Sequence, residues 1–123
     1  MSSIDEALRA HAAGSLAAMA AAELLIAGDW AGRDDFAGFV TVTASPGSGL
    51  TVALADWEAA AAAAAPGGGL PCSGGERRML QVTASLAAGI PVSLRDAVTG
   101  LDGTSARLVA GAVLHASGHR DAR

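Results

Sequence analysis

The stretch PCSGGERRMLQ, Pro71 to Gln81, decides how the second half of the chain is read. It sets a lone cysteine, a Ser-Gly-Gly triplet, an acid and two arginines ahead of an apolar run. Ser73 is followed three residues later by Glu76. That is the capping-box spacing, in which the serine hydroxyl and the glutamate carboxylate each accept from a free amide at a helix start. Met79, Val82, Thr83, Leu86 and Ile90 then fall on one helical face. The stretch therefore reads as the opening of a helix. Ser93 to Asp96 repeats the pattern and opens the short segment LRDAVTGL. Asp102 or Thr104 opens a final helix carrying Leu108, Val109, Ala112, Val113 and Ala116, with Gly118 as its stop.

Working back toward the N-terminus, PGGGLP over residues 66–71 reads as a flexible connector. Before it, WEAAAAAAA reads as a helix capped by Asp56, with Trp57 as its anchor; alanine is the best helix former. GFVTVTASPGSGLTVALAD changes the period from helical to alternating. Val40 and Val42 alternate with Thr41 and Thr43, and Leu50, Val52 and Leu54 with Thr51 and Ala53. SPGSG supplies the turn, so this is a hairpin. Two strands are marginal alone and must lie on helices. At the start, Ser2 and Ser3 precede Asp5 and Glu6 at box spacing. Leu8, Ala12, Leu16, Met19 and Ile26 recur along one helix over residues 4–27, with a bend at Gly14. The expected fold is mainly α with minor β: about five helices and one hairpin packed on them. It forms a single domain over 1–123, with an N-terminal helix and hairpin (1–65), the connector, and a C-terminal helical array (72–118).

Composition bounds the core and the partners. Of 123 residues, 31 are alanine and only 26 are Leu, Val, Ile or Phe. Alanine buries little apolar area, so the core must be thin, closely packed or completed by a second chain. All eight basic residues are arginine, and the net charge of −4 argues against a broad basic face for nucleic acid. A single cysteine forms no internal disulfide. The apolar run Leu16 to Ala27 is interrupted by Glu23 and is shorter than the ~20 residues of a membrane span. Asp5 and Glu6 stand where a signal peptide is basic. The expectation is a soluble, cytoplasmic protein with no membrane association.

Named residues bear on four chemistries. Cys72 beside a helix start has the setting of an activated thiol, but His11, His115 and His119 have no spacing to it that specifies a base. His115 and His119, four apart, could share a face for a metal; zinc needs further ligands, and Asp121 is the only nearby acid. The last three helical segments have the lengths of a helix-turn-helix array, but the last offers Arg107 and little else to DNA, with Thr104 and Ser105 able to touch phosphates. Free amides and two cations converge on Ser73, Gly74, Gly75, Arg77 and Arg78, making them the candidate contact for an anion or a partner chain.

The run SGGERRMLQVTASLAAGIPVSLRDAVTGLD resembles the signature region of ABC-type ATPases. The resemblance implies that Ser73, Gly74 and Gly75 meet a γ-phosphate and that Asp96 falls near the magnesium-ordering aspartate. The departures are Ala97 in the place of the catalytic glutamate, Ser93 and Arg95 within what should be a buried strand, and no lysine anywhere for a phosphate-cradling loop. ATP binding and hydrolysis are therefore not expected. The C-terminal half, over residues 70–120, is similar to small uncharacterised proteins of actinobacteria and their mobile elements. That resemblance implies a bacterial, cytoplasmic protein and carries no activity to any residue. The reading is a non-catalytic interaction or assembly module, a homodimer, with no cofactor and no metal. The alternative is a helix-turn-helix regulator, and a third reading is a small enzyme using Cys72.

Overall fold

Gly14 divides the N-terminal helix that the apolar spacing carries unbroken from residue 4 to 27. Its φ of +96° is open to glycine and costly for other residues. Ser15 then takes an extended conformation and its hydroxyl accepts from Ala18 N, starting a second helix. The result is α1 (Ser3–Ala12) and α2 (Leu16–Ala27) where one helix was expected. The computed structural model describes residues 3–119. Ser2 and the Ser3 side chain lie outside the described residues, and so does the cap expected there.

After α2 come two single-turn 3-10 helices, Trp30–Gly32 and Ala37–Phe39. They are followed by β1 (Val40–Ala44), β2 (Thr51–Ala55), α3 (Trp57–Ala64), α4 (Gly74–Ala88), α5 (Leu94–Val98) and α6 (Gly103–Ala116). The fold is mainly α, six α-helices with one antiparallel hairpin, among the described residues. The strands pair with Val42 opposite Ala53. α1 covers β2, whereas β1 is exposed along nearly its whole length.

Burial departs from strict alternation in β2. Val52 and Ala53 are adjacent and both buried, so β2 is covered on both faces. Val42, on the apolar side of the β1 alternation, is 54% exposed.

Local chemistry starts each later helix. Asp56 Oδ1 accepts from Ala59 N to cap α3, and Ser73 and Glu76 form the complete reciprocal box at α4. Ser93 Oγ accepts from Asp96 N at α5. Asp102 and not Thr104 caps α6, accepting from Ser105 N at 2.7 Å. The segment from 90 to 98, a buried strand in the ATPase pattern, is a connector leading into helix α5.

The core has two clusters. The first gathers Leu8, Leu25, Trp30, Phe36, Ala53, Ala60, Leu70 and Leu80, with Trp57 and Cys72 packed against it. The second gathers Ala20, Leu24, Val82, Ala97, Val109 and Ala112. Leu80, off the face drawn from Met79 and Val82, is fully buried. α2 and α4 supply residues to both clusters, which is why α2 is apolar around its circumference except at Glu23.

The glycine connector is not a free tether. Gly68 N donates to Ala65 O, Leu70 N donates to Ala63 O at 3.0 Å, and the Leu70 side chain is buried. These bonds occupy carbonyls that the end of α3 would otherwise leave unpaired. Gly68 lies so close to the Ala62 and Ala63 carbonyls that any side chain there would collide with backbone.

Candidate functional site

The start of α4 is largely engaged by its own chain. Ser73 Oγ accepts from Glu76 N at 3.1 Å, and Glu76 Oε1 accepts from Ser73 N at 2.8 Å. The helix start thus already carries a carboxylate, and Arg33 Nη1 stands 3.4 Å from its other oxygen. Arg77, expected to face solvent or a partner, turns back instead. Its Nε donates to Ala64 O at 2.6 Å and so caps the C-terminus of α3. Arg78 lies over Gly74 and Gly100, on a shallow hollow shared with Gln81 and Asp96. Of Ser73, Gly74, Gly75, Arg77 and Arg78, Ser73 and Arg77 are therefore tied to structural duties, and Gly74 is exposed. Gly75 is half-buried within the first turn, and Arg78 remains a half-buried cation at the rim.

Arg33 is the busiest polar side chain and lies in a stretch the sequence pattern leaves blank. Its guanidinium sits 4.6 Å over the Trp30 ring. Nε and Nη2 grip both Asp35 oxygens, at 2.9 and 2.8 Å, and Nη2 also donates to Pro71 O at 2.6 Å. The hydrogen bond from Arg33 holds the Asp35 carboxyl below the ordinary carboxylate range. Trp30, Phe36 and Phe39 stack in series, with centroids 5.5 and 5.4 Å apart. GDWAGRDDFAGF carries three of the four aromatic residues of the chain. That concentration is the signal that could have found this turn.

The remaining candidates are dispersed. Cys72 is half-buried against the first core cluster. His11 is exposed on α1. His115 is buried on α6, whereas His119 lies beyond the helix with Nδ1 3.2 Å from Ser117 Oγ. Asp121 lies outside the described residues. Among the described residues no three His, Cys, Asp or Glu side chains gather as a metal site. No described helix is long and apolar enough to cross a membrane.

Two concave features accompany these residues. A cleft of about 580 Å³ opens between α3 and the segment before α5. Glu58 and Asp96 stand on its rim, Ile90 and Val92 form its apolar wall, and the Ser93 hydroxyl is taken by the cap of α5. A groove of about 340 Å³ runs between α2 and α6, with Glu23, Arg107 and His115 among Leu108, Gly111 and Leu114. Glu23 is gripped from α1 by Arg9, at 2.7 and 3.1 Å. Neither feature pairs a nucleophile with a base.

The apolar surface is more distinctive. Six of the eight large exposed apolar side chains, Leu16, Leu94, Val98, Leu108, Val113 and Leu114, belong to α2, α5 and α6. α6 is the extreme case: it buries Val109, Ala112 and His115, and over the rest of its circumference Arg107 is the one charged residue. No family model, no curated protein and no solved structure matches the chain.

Proposed function

We propose that the protein is a non-catalytic interaction and assembly module that works as a homodimer in the cytoplasm. The observation that carries this reading is the set of large apolar side chains left exposed on α5, α6 and the start of α2. Soluble monomers rarely expose contiguous apolar patches of more than a few hundred Å², and larger ones mark interaction surfaces. The thin, alanine-rich core gives the same reading a second motive, because a partner surface would add the burial that small side chains do not. The cytoplasmic assignment rests on the single unpaired cysteine, and bacterial origin on the resemblance to small actinobacterial proteins.

A DNA-binding role is the alternative, favoured by the order α4, short α5, α6. Two observations weigh against it. α6 packs chiefly on α2, and its outward side offers one arginine and Thr104 among Ala, Gly, Val and Leu. Phosphate contacts need cations, and base contacts need donors and acceptors. An enzyme built on Cys72 has less support still, with the thiol half-buried against the core.

Light scattering over the micromolar range tests the reading. About twice the 12.0 kDa chain mass is expected. A strict monomer overturns it, and salt-sensitive binding of duplex DNA would favour the alternative.

A further inference from the structure

We propose that α6 pairs with α6 of a second copy of this chain, antiparallel about a two-fold axis at the Ala110–Gly111 peptide. The inference rests on the self-associating reading above and gives it a face and a direction. The buried side of α6, through Val109, Ala112 and His115, lies against its own chain. Away from that side Gly103, Arg107, Ala110, Gly111 and Leu114 recur at i, i+4, i+7, i+8 and i+11; all five are exposed, and Arg107, Gly111 and Leu114 also edge the groove against α2. That is the spacing of a seam between two helices. Leu114 is 50% exposed and Val113, beside it, 55%. Large apolar side chains on a helix are ordinarily covered, and α6 leaves Leu108, Val113 and Leu114 exposed.

The sequence of that seam complements itself in one direction only. With the axis between residues 110 and 111, Ala110 meets the partner's Gly111, and Arg107 meets the partner's Leu114. Small residues at the centre let the two backbones approach at the near end of the 8–10 Å range for packed helices. On either side, the long Arg107 stem lies along a leucine.

Charge fixes the direction. Arg107 sits near the N-terminal end of its own α6, where a cation opposes the positive end of the helix dipole. Across an antiparallel pair it meets the negative, C-terminal end of the partner helix instead. A parallel pair would set the two Arg107 side chains next to one another. Leu16 continues the apolar surface past the end of α6, its Cδ1 lying beside Gly118.

Another face open to a second copy is the exposed edge of β1, so the test separates the two. In a Cys72→Ala background, Ala110→Cys and Val42→Cys are each treated with a short bismaleimide. The proposal expects a covalent dimer from Ala110→Cys and mostly monomer from Val42→Cys. Linkage through Val42→Cys alone, in a protein that scatters as a dimer, overturns the α6 pairing and leaves self-association standing. A monomer by light scattering removes both. Leu114→Asp and Arg107→Glu, both at exposed positions, should each weaken the dimer at least tenfold with the helical circular dichroism unchanged. Native-strength dimers from both variants overturn the proposal.

Discussion

The Arg33 guanidinium lies over the Trp30 indole and joins that aromatic turn to the end of the glycine connector through Pro71 O. One side chain thereby ties the turn after α2 to Pro71, just ahead of α4 and 38 residues further on. Arg33→Lys keeps the charge but loses the planar fork that stacks and grips at once. We expect Arg33→Lys and Arg33→Ala each to lower stability by about 1–2 kcal/mol. Urea midpoints would show it, and near-wild-type midpoints for Arg33→Lys would mean the fork adds nothing beyond its charge.

Ser73→Ala removes the acceptor for Glu76 N and should cost about 1 kcal/mol. Ser73→Asp can still cap and should cost less. The comparison of midpoints isolates the cap, because the position is exposed and little packing is lost.

Gly68→Ala tests the docked connector. A methyl there meets the Ala62 and Ala63 carbonyls, which belong to a helix end and cannot swing aside. A loss of about 1–3 kcal/mol is expected, the range for forced overpacking. A free tether would tolerate the change, so an unaltered melting temperature would count against the connector being fastened to α3.

Acid should act partly through Asp102. Amides at the start of α6, Ser105 N foremost, hold its carboxyl below the ordinary range. A carboxyl depressed in the folded state stabilises above its unfolded pKa, about 4, and that contribution fades as pH falls through the lower folded value. Asp102→Asn keeps a capping side chain and removes the titration. Its melting temperature should therefore fall less steeply as the pH drops below about 4 than that of the wild type. Parallel curves would show that the carboxylate contributes no pH dependence.

The helix starts were legible because a cap is local: Ser73 with Glu76, Ser93, and Asp56 each announce themselves within four residues. The break at Gly14 was less so. Alanine on every side of the α1–α2 region lets an apolar face be drawn through the interruption, and only backbone conformation tells a bend from a stop. The Trp30–Phe39 turn has neither helical nor strand period, so periodicity is silent about the most aromatic part of the core. The role of Arg77 is hidden for a different reason. Its role as the cap of α3 depends on how α3 and α4 are set side by side, which no spacing along the chain records. The face of α6 was half visible: its apolar residues were plain, but which of them α2 would cover was not.

Because α2 and α4 form the wall common to both clusters, neither cluster can melt while the other stays whole. Opening either one strips a face from the helices that support its neighbour, so denaturation should proceed as one concerted step. The slowest amide protons to exchange with solvent should then belong to α2 and α4. In the isolated chain those of α6, bare on one side, should exchange sooner, through local fraying that leaves Val109 and Ala112 packed.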